Sequence, residues 1–235
     1  MLTGADYTSC MTAPILVACS HGTDNRSGRA EIDHLRKQIA ALRPGLDVRE
    51  AYVDVQDPAL PEVVAALPEG APAVVVPLLL SVGYHVEVDI AQAVASRERT
   101  VAATPLGPDP RLARLLAERL GPLGPEWGVV LAAAGSSKPT AARAVEQLAE
   151  QLAGMIPQPV LAGYGAGAEP RVPAAVGLLR GQTRRVAVAA YLLAPGFFHD
   201  QLAKAGADLV TAALLPDPVL AQIALDRYDA AVLAF

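Results

Sequence analysis

The run Ala73-Val74-Val75-Val76-Pro77-Leu78-Leu79-Leu80, closed by Gly83, decides how the rest of the chain reads. Its apolar residues do not alternate with polar ones. That suits a strand buried on both faces, as in a parallel sheet covered by helices on each side. The run returns as Val186-Ala187-Val188-Ala189-Ala190-Tyr191-Leu192-Leu193, closed by Gly196. Two further segments repeat with it. Leu106-Gly107-Pro108-Asp109-Pro110-Arg111-Leu112-Ala113 is echoed by Leu214-Leu215-Pro216-Asp217-Pro218-Val219-Leu220-Ala221, and Ala18-Cys19-Ser20-His21-Gly22 by Leu131-Ala132-Ala133-Ala134-Gly135. The offsets run from 108 to 113 positions. The chain is therefore a duplicated unit.

Working outward from these anchors, hydrophobic periodicity predicts strands over 15–19, 46–53, 73–80 and 100–104. Helices are expected between and after them, over 29–42, 61–67, 85–96 and 110–120. Gly121-Pro122-Leu123-Gly124-Pro125 then breaks the pattern. It resumes with strands over 128–133, 160–163, 185–192 and 209–213, and helices over 139–153, 171–179, 199–205 and 218–232. The expected fold class is α/β: two similar doubly wound parallel-sheet domains related by internal duplication. The expected boundaries are a loose N-terminus over 1–13, one domain over 14–121 and a degenerate repeat over 122–235. The halves should meet at a crevice beside residues 121–125. Eight βα units also suit a closed (β/α)₈ barrel. The proline-glycine break at the midpoint favours the two-domain reading.

Composition narrows the function. Of 235 residues, 52% are apolar and 18% charged, which argues against disorder. The net charge of −5 disfavours nonspecific binding to nucleic acid. Cys10 and Cys19 are too few for an iron–sulfur cluster, and their spacing sets no disulfide framework. The first dozen residues lack the basic and apolar regions of a signal peptide, and no apolar run reaches membrane-spanning length. A soluble, cytoplasmic, monomeric protein without a membrane partner is expected.

The chemistry-bearing residues lie at strand ends. In open α/β sheets, ligands bind beyond the C-terminal ends of the strands. His21 follows the first strand, and Gly22 permits a tight turn or a close approach. His85 follows the third strand, and Asp89 lies four residues further along the expected helix. A carboxylate there can orient the imidazole. Two imidazoles suit Fe²⁺, Co²⁺ or Ni²⁺. The bland reading of each histidine, a loop or helix-cap residue, stands beside this one. Glu87 points elsewhere on a regular helix, and His34 reads as solvated. The second half lacks the pair: Ala134 replaces His21, and His199 falls one residue off the match to His85. One active crevice in the first half follows. Gly163-Tyr164-Gly165-Ala166-Gly167 lacks the spacing of a dinucleotide fingerprint, and Ala134-Gly135-Ser136-Ser137-Lys138 is not a phosphate loop.

At these residues the chain resembles the sirohydrochlorin chelatases. Cys19-Ser20-His21-Gly22-Thr23 is similar to their opening HG[ST] motif. Val74 to Leu80 is similar to their VVPLFL strand, and Gly83-Tyr84-His85-Val86-Glu87-Val88-Asp89-Ile90 to their G-x-H-x-x-x-D-[IL] segment. The resemblance implies a two-domain class II tetrapyrrole chelatase that works without ATP. It would insert Fe²⁺ or Co²⁺ into sirohydrochlorin for sirohaem or cobalamin synthesis. No tightly bound cofactor is implied, since the metal is a substrate. His21 and His85 would hold the metal and accept pyrrole protons, and Asp89 would orient His85. Ser20, Gly22, Arg26, Gly83 and Tyr84 would contact the tetrapyrrole. The chain departs from the family at Thr23 and at Asp24, where arginine is usual, so Arg26 or Arg29 would supply the missing guanidinium. A chelatase for another tetrapyrrole and a noncatalytic metal or tetrapyrrole carrier are the alternatives.

Overall fold

The computed structural model describes residues 13–81, 83 and 85–235. The first half contains β1 (Ile15–Ser20), α1 (Arg26–Leu42), β2 (Val48–Tyr52), α2 (Leu60–Ala65), β3 (Ala73–Pro77), a π-helical turn (His85–Ile90), α3 (Ala91–Ala95), β4 (Thr100–Ala102) and α4 (Pro110–Leu120). The second contains β5 (Trp127–Ala133), α5 (Pro139–Ala153), β6 (Val160–Tyr164), α6 (Val172–Arg180), β7 (Arg185–Tyr191), α7 (Phe197–Leu202), β8 (Leu209–Val210) and α8 (Val219–Val232).

The strands form two separate parallel sheets, ordered β2-β1-β3-β4 and β6-β5-β7-β8. Neither is closed, so the barrel is excluded. In each sheet the chain starts at an inner strand, adds one neighbour and then crosses to the other side. That reversal leaves a topological switch point, between β1 and β3 in one sheet and between β5 and β7 in the other.

Strand alternation builds the layers. Leu16 and Ala18 of β1 join a core that also takes Val129 and Leu131 of β5 and residues of α1, α4, α5 and α8. These four helices fill the space between the sheets; α1 packs on α8 and α4 on α5. The alternate residues Ile15, Val17 and Cys19 face an outer core with Leu60, Val64, Ile90 and Ala93. Val130 and Ala132 do the same against Val172, Ala175 and Val176. The abundance of alanine lets helices lie close to the sheets on both sides. Truncating a fully buried residue such as Leu16 or Leu131 to alanine would cost about 2–5 kcal/mol.

Several boundaries differ from the sequence reading: β2, β3, β4 and β8 are shorter than expected, and three helical segments are changed. α1 begins at Arg26 because Asn25 caps it, accepting from the Gly28 N–H at 2.9 Å. The expected helix over 85–96 is a π-helical turn followed by one short α-helix. The last helix before β8 starts at Phe197 rather than His199.

Candidate active site

The two switch points open into one cleft of about 690 Å³ between the sheets. The first half contributes Ser20, His21 and the segment after β3; the second contributes Ala134, the segment after β7, and His199. The cleft is therefore at the C-terminal strand ends. The expectation of a crevice beside residues 121–125 is corrected, because that segment precedes Trp127 at the N-terminal end of β5, where Gln158 Nε2 donates to the Leu123 carbonyl at 2.8 Å.

His21 is placed by its backbone. The Ser20 carbonyl accepts from Val53 and the His21 carbonyl from Asp54, each at 3.0 Å, which ties the end of β1 to the segment after β2. Gly22 then turns with φ of 95°, and a Cβ there would fall on the Asp54 carbonyl. Only glycine fits this turn. Gly135 repeats the geometry in the second half, with φ of 87° and the Ala166 carbonyl beneath it. The scaffold is thus duplicated, while the imidazole exists on one side only. His21 itself is exposed to the cleft.

Ser20 lies on the cleft floor at 3% exposure, and its Oγ has no hydrogen-bond partner among the described residues. A buried hydroxyl left unpaired is costly, and this one lies beside the cleft. The second half has Ala133 at this position.

The remaining expected residues are placed as follows. Gly83 faces the loop of the other half, where the nearest neighbour of an added Cβ would be Ser136 Oγ at 3.8 Å. His85 opens the π-helical turn; π-turns of this kind recur at functional sites. Its side chain, and Tyr84 altogether, lie outside the described residues. Asp89 is half-buried on that turn, and its charge is felt by Cys19. Burial first, and then the Asp89 carboxylate, push the Cys19 thiol up to about 12. Cys19 is therefore a protonated thiol at neutral pH and a poor nucleophile. Arg26 is exposed at the start of α1 and outside the cleft lining. Arg29 is already engaged: its Nε donates to the Thr23 carbonyl at 2.6 Å, and it pairs with Asp24 at 3.1 Å. The departure from the family at Asp24 thus locks the turn internally. Among the described residues, no three His, Cys, Asp or Glu side chains converge as a metal cage.

Sequence reasoning left three features of the cleft unassigned. His199 Nε2 lies 3.1 Å from the Thr211 carbonyl. A carbonyl only accepts, so Nε2 is the donor in this contact. Val55, on the cleft rim, has φ of 63°. That is a true outlier for a β-branched residue and costs about 1–3 kcal/mol. Phe197 and Phe198, on the opposite wall, are 71% and 37% exposed. One signal for them was available: they are two of only three phenylalanines in the chain, side by side.

The fold and cleft define a duplicated, doubly wound α/β protein with its site at paired switch points. The chain belongs to the CbiX family, whose profile, described as CbiX, matches residues 15–123 and again 128–231. Among solved structures, the chain resembles SirB from Bacillus subtilis with Fe³⁺, with a TM-score of 0.79, 20% identity, and 92% of this chain and 94% of the other covered. It also resembles the sirohydrochlorin chelatase SirB from Bacillus subtilis subspecies spizizenii in complex with cobalt, with a TM-score of 0.75, 18% identity and coverage of 92% and 94%. A third is CbiX, described as the terminal enzyme of sirohaem biosynthesis in denitrifying bacteria, with a TM-score of 0.69, 18% identity and coverage of 92% and 98%. At these identities the likeness is one of fold. No curated protein sequence matches the chain.

Proposed function

We propose that this protein inserts a divalent metal ion, Fe²⁺ or Co²⁺, into sirohydrochlorin, without ATP. The observation that carries the reading is His21 standing at a switch point, exposed to a cleft of about 690 Å³ whose opposite wall is mostly apolar. That volume lies within the usual range of about 300–1,000 Å³ for small-molecule sites. Membership of the CbiX family supports it, as do the structures of SirB with iron and with cobalt.

Metal insertion exchanges two pyrrole N–H protons for one M²⁺. The site must therefore hold a metal briefly and take up protons. Imidazole does both near its ordinary pKa of about 6.5. In this reading His21 and His85 hold the incoming ion and accept the two protons, and Asp89 orients His85. Ser20, Gly22, Gly83 and Tyr84 contact the macrocycle, and Arg26 meets its carboxylates from outside the cleft. The unpaired Ser20 hydroxyl supports a polar contact at the floor. We assign the catalytic half to 14–121 and the degenerate half to 122–235, with the protein acting as a cytoplasmic monomer without a nucleic-acid or membrane partner. Among the described residues, no helix is long and apolar enough to cross a membrane.

The test is the absorbance change of sirohydrochlorin offered Fe²⁺, Co²⁺ or Ni²⁺ separately. Catalysed insertion of at least one ion is expected. Stoichiometric binding without turnover would instead mark a carrier.

A further inference from the structure

The two halves share a backbone, so each shows what the fold alone requires of the other. At the turn after β2 the first half has Val55 with φ of 63°; the matching turn after β6 has Gly167 with φ of 68°. Glycine is the residue this conformation favours. The fold is therefore served by glycine, and the first half keeps a β-branched side chain there against the backbone's preference. Strain of this kind persists at sites where the side chain has a task. That side chain is 46% exposed, apolar, and on the rim of the cleft.

A second observation points to the same ligand. Phe197 and Phe198 stand where the first half has Tyr84 and His85. They form an edge-to-face pair with ring centroids 5.5 Å apart. Phe198 rests on Gly165, where an added Cβ would lie 2.7 Å from the ring, so that glycine admits it. Phe197 is left 71% exposed in a chain that is only 4% aromatic. Neither ring is spent on the core.

We propose that Val55 from one half, with Phe197 and Phe198 from the other, forms an apolar clamp that grips the ring of the tetrapyrrole and positions it over His21. This rests on the chelatase reading and adds the residues that hold the substrate. The clamp supplies no polar group; it orients a flat, conjugated ring whose carboxylates remain at the rim. Its residues are positioning residues, so their loss acts on binding before it acts on turnover.

The test is equilibrium binding of metal-free sirohydrochlorin, followed by its fluorescence, with melting temperature measured in parallel. The proteins are the wild type, Val55→Gly and Phe197→Ala. Both variants should fold, because Phe197 is largely exposed and glycine relieves the backbone at position 55. The Kd should rise roughly tenfold for Phe197→Ala and about fivefold or more for Val55→Gly. In the insertion assay KM should rise with kcat little changed. The melting temperature of Val55→Gly should equal or exceed that of the wild type. Wild-type affinity in either variant, or a melting temperature several degrees lower in Val55→Gly, would overturn the clamp. Binding without insertion by the wild type would overturn the chelatase reading and leave the clamp to be judged on Kd. A wild type that binds no tetrapyrrole would overturn both.

Discussion

The Tyr191 hydroxyl donates to the Leu80 carbonyl at 2.7 Å, joining β7 of the second sheet to the segment that leaves β3 of the first. The bond lies beside the cleft, and both residues line it. Burial first, and then the nearby Asp109 charge, hold the Tyr191 phenol above its ordinary pKa, so it remains a donor throughout the accessible range. Leu80 leads directly to Gly83 and His85. Tyr191→Phe should cost about 1 kcal/mol by removing this part-buried hydrogen bond between the halves. The expected signature is a lower melting temperature together with a lower insertion rate, measured on the same preparation.

Gly107 packs against this bond. A Cβ there would fall on the Tyr191 hydroxyl and on the Leu80 carbonyl. Backbone cannot yield as a flexible side-chain tip can. Gly107→Ala should therefore destabilise by about 1–3 kcal/mol, the usual cost of overpacking. Gly177→Ala is the control, since no atom lies within 4 Å of an added Cβ at that position. Chemical denaturation of both variants checks the contrast.

Much of this architecture was legible because the sequence states it twice. The run over 73–80 and its echo over 186–193 place the central strands, and the offset between Gly22 and Gly135 predicts a shared turn. The repeat also equates Arg119 with Arg227, 108 positions apart. What each arginine grips became visible only in three dimensions. Arg119 reaches the Ala213 and Leu214 carbonyls of the second half, and Arg227 the Pro105, Leu106 and Pro108 carbonyls of the first. Local reading failed where a local rule is broken. Valine is poorly suited to a left-handed turn, so nothing around Asp54-Val55-Gln56 announces one. Phenylalanine normally reads as core, so the exposure of Phe197 carries no local mark. A π-helical turn has no period distinct enough to separate 85–90 from the helix that follows.

The junction between halves should be sensitive to acid. Asp109 caps α4 and pairs with Arg111 at 2.9 Å and with Arg227, from α8, at 3.1 Å. Its burial alone would raise the carboxyl pKa. The hydrogen bonds from Arg111 and the charge of Arg227 outweigh that and hold it below the usual range. Asp229 is likewise held low, chiefly by its hydrogen bond from Arg43 across the same junction. A carboxyl whose folded pKa is depressed contributes stability above its unfolded pKa of about 3.9. That contribution is lost as pH falls through the lower, folded value. The melting temperature should therefore drop below about pH 4, and less steeply in Asp109→Asn, as a pH series on both proteins would show.

Cys19 provides a test of the outer face of β1. With its thiol at about 12 and its side chain buried, it should resist alkylation at pH 8 in the native protein and react on unfolding. Peptide mass spectrometry of labelled protein reads this at Cys19 itself. Rapid native labelling would mean that β1 and the turn bearing Asp89 separate readily.

The central claim is that His21, on a turn whose copy in the second half carries alanine, takes part in the chemistry together with His85, and His21→Ala tests it most directly. The second half already carries Ala134 at the equivalent turn, so the variant should fold with a melting temperature near that of the wild type. The measurement is the initial rate of metal insertion into sirohydrochlorin, read by absorbance with saturating Fe²⁺ or Co²⁺. The account predicts a loss of roughly 10²-fold or more, the scale of a lost proton-transfer group, with tetrapyrrole binding largely retained. A folded variant that inserts metal at the wild-type rate would contradict it.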